Sequence, residues 1–239
     1  MSLSSFSWRL SVLYLVSWLS FTAADEPREK LVATDRYESQ QVEGWTVRVN
    51  RRLLNEDKQL GQRALKLLEL KLFEVKLLVP PKACEKLQKV PIWLGVNDGH
   101  APCAEYHPNR EWLKDNGYNP DKAKGVEIGC AAKFLDWVKQ QPMMVLHELA
   151  HAYHDQVLSF DHADVRQAFV RAKESRHYES ILRVNDRRER AYAMTNPQEY
   201  FAECSEAFFG QNDFYPFVRV ELKQHDPEMF DLLAKLWNE

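Results

Sequence analysis

His147, Glu148 and His151 form the pattern His-Glu-x-x-His within the segment Val145–His154. The segment lacks glycine and proline and has an apolar approach, so it reads as a helix. On a helix, residues four apart project about 40° from one another, one turn apart. The His147 and His151 imidazoles can therefore meet one zinc ion, and Glu148 is placed to take a proton from a zinc-activated water. A bare five-residue pattern also occurs by chance. Here Met143, Met144, Val145, Leu146, Leu149, Ala150 and Ala152 surround the three polar groups. Ionisable groups in an apolar helix need a partner or a metal.

Catalytic zinc takes three protein ligands and keeps one position open. One solution is His-Glu-x-x-His-x-x-Gly-x-x-His. His154 and Val157 stand where that pattern needs glycine and histidine, so it is excluded. His154 shares the face of His147 but lies about 10 Å along the axis, which suits a core or supporting role. The other solution is a glutamate from a later helix. Asn196-Pro197 opens such a helix, and Glu199, Glu203 and Glu206 place three carboxylates on one of its faces. Like charges on one face repel. The alanines and aromatics between them leave little solvated surface, so at least one acid needs a metal or histidine partner. Spacing alone does not choose among the three.

The segments His147–His151 and Tyr192–Glu203 together resemble the gluzincin-type peptidases related to the anthrax lethal factor catalytic domain and Mlc titration factor A. The resemblance implies a zincin-like α+β fold holding one zinc and acting on peptide or protein substrates. It implies Glu199 as third metal ligand, Tyr192 as a catalytic residue and Glu203 as the acid supporting a ligand histidine. In this reading Glu148 is the general base and Tyr192 stabilises the oxyanion. Two rivals remain at this stage, a secreted zinc-binding protein without catalysis and a zinc hydrolase of non-peptide amides.

Arg9, the apolar run Leu10–Phe21 and the small residues Thr22-Ala23-Ala24 read as a signal peptide over residues 1–24. A single catalytic domain is expected over 25–239, secreted to an extracellular or periplasmic space. No later stretch is long and apolar enough to span a bilayer, so no membrane association is expected after cleavage. The formal net charge is −3 and the charges are interleaved, without the basic stripe that nucleic acid requires. The cluster Arg187-Arg188-Glu189-Arg190 reads as a solvated face. Cys84, Cys103, Cys130 and Cys204 sit in a disulfide-permissive context, and at least one bridge is expected. No Asn-x-Ser/Thr acceptor occurs.

The elements that must position these groups follow from periodicity. Residues 25–43 read as loose. Strands are expected at 44–49, 90–96, 104–107 and 126–130, and the last is taken as the edge that aligns an extended substrate. Helices are expected at 56–78, ended by Pro80 and Pro81, then a short one up to Leu87, a turn around 111–116, and one at 131–140. Further helices are expected from the motif to about Leu158, and at 163–176, 197–209 and 226–237. The order suits an α+β zincin-like fold with a small mixed sheet. The active-site helix then lies between an N-terminal α/β lobe and a helical C-terminal lobe.

Overall fold

The computed structural model describes residues 28–238. The expected signal peptide lies outside the described residues. In chain order the elements are β1 (Tyr37–Val42), β2 (Trp45–Asn50), α1 (Arg51–Asn55), α2 (Lys58–Leu78), α3 (Pro81–Leu87) and β3 (Ile92–Leu94). Then come β4 (Ala104–Tyr106), α4 (Arg110–Asp115), β5 (Val126–Ile128), α5 (Ala131–Trp137) and α6 (Met144–Tyr153). The second half holds α7 (Ala163–Ser175), β6 (Ile181–Leu182), β7 (Arg188–Glu189), α8 (Pro197–Phe209), α9 (Arg219–His225) and α10 (Pro227–Leu236). This is the α+β architecture with a small mixed sheet expected from the sequence.

The region read as loose contains β1. Glu43 and Gly44 have φ of 51° and 97°, both left-handed, and join β1 to β2 in full register from Tyr37↔Asn50 to Val42↔Trp45. A two-residue turn with positive φ at both positions matches strand twist. Polar β1 was hidden because most of its residues are exposed or half-buried.

The main sheet runs β1-β2-β3-β5-β4. β2, β3 and β5 pair in parallel, and β1 and β4 are antiparallel edges. β5 is therefore interior, contrary to the expectation that it is the substrate-aligning edge. Ile92↔Val126 pairs it on one side and Ala104↔Ile128 on the other. All three of its residues are buried, as strands covered on both faces require.

α2 buries Gly61, Ala64, Leu68, Leu72 and Val75 along one face. α6 is buried nearly all round and packs against β4 and α8. It continues as a wider π-helical turn over His154–Leu158 and ends at Ser159, whose φ is 74°. α8 begins as its sequence dictates. The Asn196 side chain accepts from the Glu199 N–H at 2.8 Å, and Pro197 occupies the first turn. The chain's end clamps both helices. Trp237 stacks on Tyr153 at 4.3 Å between centroids, and its indole donates to Ser205 Oγ at 3.1 Å. Tyr153 donates to the Leu236 carbonyl at 3.0 Å.

The expected disulfide does not form. All four cysteines are free and buried. Each fills core space as a small apolar group, as free cysteine commonly does. Burial pushes the Cys103 thiol up to about 12, and its sulfur lies 3.5 Å from Met144 Sδ.

Candidate active site

α6 and α8 pack side by side, and their facing residues build a cluster of imidazoles and carboxylates. His147 Nε2, His151 Nε2 and Glu199 Oε2 converge on one point. The separations are 3.1 Å between the imidazoles, 3.2 Å from His147 to Glu199 and 3.3 Å from His151 to Glu199. Tetrahedral zinc with ligands at about 2.0–2.1 Å spaces them by about 3.3 Å. The three residues thus fit a zinc ion in donor type and in spacing, and they form a group able to hold a metal.

The other face of the His147 ring defines its tautomer. Glu206 Oε1 lies 2.6 Å from Nδ1, so Nδ1 carries the proton and Nε2 presents its lone pair to the metal position. The sequence resemblance gave this supporting place to Glu203. The structure puts Glu203 at 3.9 Å from Nδ1 and gives the hydrogen bond to Glu206. Seven residues on a helix bring Glu206 nearly onto the azimuth of Glu199, two turns along. The imidazole therefore bridges the two, with one nitrogen towards each. Glu203 is buried one turn earlier, with a side-chain hydrogen bond from Asn212.

Burial opposes a positive charge on His147, but the hydrogen bonds and charges of Glu199 and Glu206 outweigh it and hold its pKa well above the usual value. Burial likewise raises Glu199, yet bonds from both histidines hold it below the ordinary carboxylate range. The point between these donors is built for a cation. Burial, followed by the charge of Glu206, drives Glu203 strongly upward. Burial also raises Glu206 against the opposing pull of His147.

Glu148 lies on α6 beside the triad and is nearly buried. Its Oε2 accepts from the Tyr106 N–H of β4 at 2.8 Å, which fixes the carboxylate's orientation. Burial raises its pKa, only partly offset by the two histidines. That suits a group that must take and return a proton near neutral pH. Tyr192 begins a short 3-10 turn over Tyr192–Met194, just before α8, and is half-exposed. Burial and the charge of Glu199 raise its phenol, so it stays protonated and able to donate. His154 is fully buried against Phe160 and Phe201 and remains outside the triad.

The triad, Glu148, Tyr192, Glu203 and Glu206 line one cleft of about 560 Å³. β4 and the segment before it, from His100, supply part of its wall, and Trp137, Met144, Arg183 and Phe214 add to the lining. Sequence reasoning did not find Arg183 or its partner Asp213, which carry no motif. A second acid–histidine group, Glu105, His107 and Glu127, lies deeper. The buried Lys122 ammonium contacts Glu127 there and supplies the positive charge itself.

The family described as anthrax toxin lethal factor, N- and C-terminal domain, matches residues 121–236. That span runs from before β5 to the end of α10 and contains every residue of the triad. It supports a zincin-like metallopeptidase. Among solved structures, the Pro-Pro endopeptidase PPEP-2 from Paenibacillus alvei is similar at 19% identity, with a TM-score of 0.39. The similarity covers 73% of this chain and 90% of that one. No curated protein matches.

Proposed function

We propose that this chain is a secreted zinc metallopeptidase that hydrolyses peptide bonds. The observation that carries the proposal is the convergence of His147, His151 and Glu199 with an oriented Glu148 beside them. The lethal factor family match over this region supports the same reading. When bound, zinc lowers the pKa of a coordinated water towards about 7 and polarises the scissile carbonyl. Glu148 accepts the proton of the attacking water and returns it to the leaving amine. Tyr192 donates to the developing oxyanion. Glu206 holds the His147 ring in the ligating tautomer.

β4 takes over the substrate-aligning role first given to β5. Cys103 and His107 bond across to Gly129 and Gly125, so the alternating Ala104 turns its N–H and C=O away from β5. An extended peptide can pair there along the cleft. The leader at 1–24 directs secretion, and the buried thiols are shielded from oxidants.

Metal content tests the proposal. Elemental mass spectrometry of the purified chain is expected to show close to one zinc, lost in a His147→Ala/His151→Ala variant. Stoichiometric zinc retained by that variant overturns the ligand assignment.

A further inference from the structure

Arg183 lines the same cleft as the metal triad, yet lies outside the motif helix and α8. It follows β6 directly, at the start of the turn that leads to β7. The chain around Asp213 and Phe214 locks it in place. Arg183 and Phe214 form a β-bridge, and the Val184 N–H donates to the Asp213 carbonyl at 2.9 Å. The Arg183 Nε and Nη2 both reach Asp213 Oδ2 at 3.1 Å, and the guanidinium lies 4.7 Å from the Phe214 ring centroid. Nη1 reaches Glu189 Oε1 at 3.4 Å. The Asp213 side chain is 1% exposed and that of Arg183 is 29%. A buried carboxylate and an aromatic face thus hold a partly open guanidinium at the cleft wall. A guanidinium carries more N–H donors than these contacts use.

Resting on the peptidase reading above, we propose that Arg183 binds a main-chain carbonyl of the substrate and so positions the chain in the cleft. The charge balance selects a carbonyl over a terminal carboxylate. Asp213 already neutralises Arg183, and Glu189 adds a further negative charge. The cleft also holds the carboxylates of Glu105 and Glu199. A free C-terminal carboxylate entering here meets no uncompensated positive charge at Arg183. A neutral carbonyl meets a preoriented, charge-assisted donor. Arg183 is thereby a substrate-positioning residue.

The test uses the zinc-loaded full chain and a terminally blocked peptide that it cleaves. In an Arg183→Gln/Asp213→Asn variant, which leaves no buried lone charge, kcat/KM is expected to fall about 10–100-fold, the effect of losing one hydrogen bond to a charged group. Zinc content and Tm should be unchanged, and Arg183→Lys should recover part of the loss. A shortened peptide ending in a free carboxylate one residue past the scissile bond should be cut roughly tenfold more slowly than its amide, through like-charge repulsion. Unchanged kcat/KM in the double variant overturns the assignment. So does a wild-type preference for the free acid that disappears in the double variant, which makes Arg183 the anchor of an exopeptidase. Glu148→Gln separates the two levels. If it is inert while the double variant is fully active, only the Arg183 assignment fails. If the wild-type chain cleaves no peptide, the peptidase reading fails, and Arg183 falls with it.

Discussion

Glu206 and Glu203 differ by less than one helical turn, and only Glu206 lies within hydrogen-bond distance of His147. Glu206→Gln is expected to weaken zinc binding by about 10–100-fold, the usual cost of losing an outer-shell partner. Glu203→Gln should change it far less. Competition with a chromophoric chelator measures both, and the reverse ranking contradicts the geometry. Tyr192→Phe should keep zinc and Tm but lower kcat by about 10²–10³-fold with little change in KM, since in the proposed mechanism the phenol donates only in the transition state. An unchanged kcat removes Tyr192 from the site. The triad was legible in the sequence because helical spacing puts His147 and His151 on one face, and resemblance chose Glu199. For the acid that supports a ligand histidine, resemblance favoured Glu203. The choice of Glu206 depends on which way the His147 ring faces across the α6–α8 packing, which no residue pattern encodes. Arg183 left no trace at all, since its partner lies thirty positions away in Asp213.

At the scale of elements, the π-helical turn that continues α6 carries a buried titratable group, His154, outside the metal triad. Neither ring nitrogen of His154 has a hydrogen-bond partner. Burial, then the charge of His151, pushes its pKa down to about 3. The unfolded chain titrates near 6.5 and so binds the proton first. Stability from this group is intact above about pH 6.5 and declines as pH falls towards 3, by about 2 kcal/mol at pH 5. With zinc saturating both proteins, His154→Leu should lose less Tm between pH 7 and pH 5 than the wild-type chain. Parallel losses contradict a neutral, buried His154. The boundaries of α8 were readable from the Asn196-Pro197 cap, and those of α2 and α7 from apolar periodicity. β1, the β6–β7 hairpin and α9 were not, being polar or only a few residues long. The interior place of β5 depends on pairings with β3 and β4 far along the chain, so its apolar run could not reveal which edge faces the cleft.

Across the whole molecule, one apolar cluster runs from Trp45 in β2 to Trp237 at the chain's end and includes the buried faces of α2, α6, α8 and α10. This core, with Trp237 clamping α6 to α8, holds the site in place without a cross-link. That accounts for four free thiols where the cysteine count suggested a bridge. In the proposed enzyme these elements meet to place a general base, Glu148, beside a zinc triad. The direct measurement is the peptide-hydrolysis rate of zinc-loaded Glu148→Gln against that of the wild-type chain. The amide keeps the shape and the hydrogen bond from the Tyr106 N–H, and it removes the base. Hydrolysis is expected to fall by about 10²–10⁴-fold with zinc and fold retained. Hydrolysis at the wild-type rate contradicts the account.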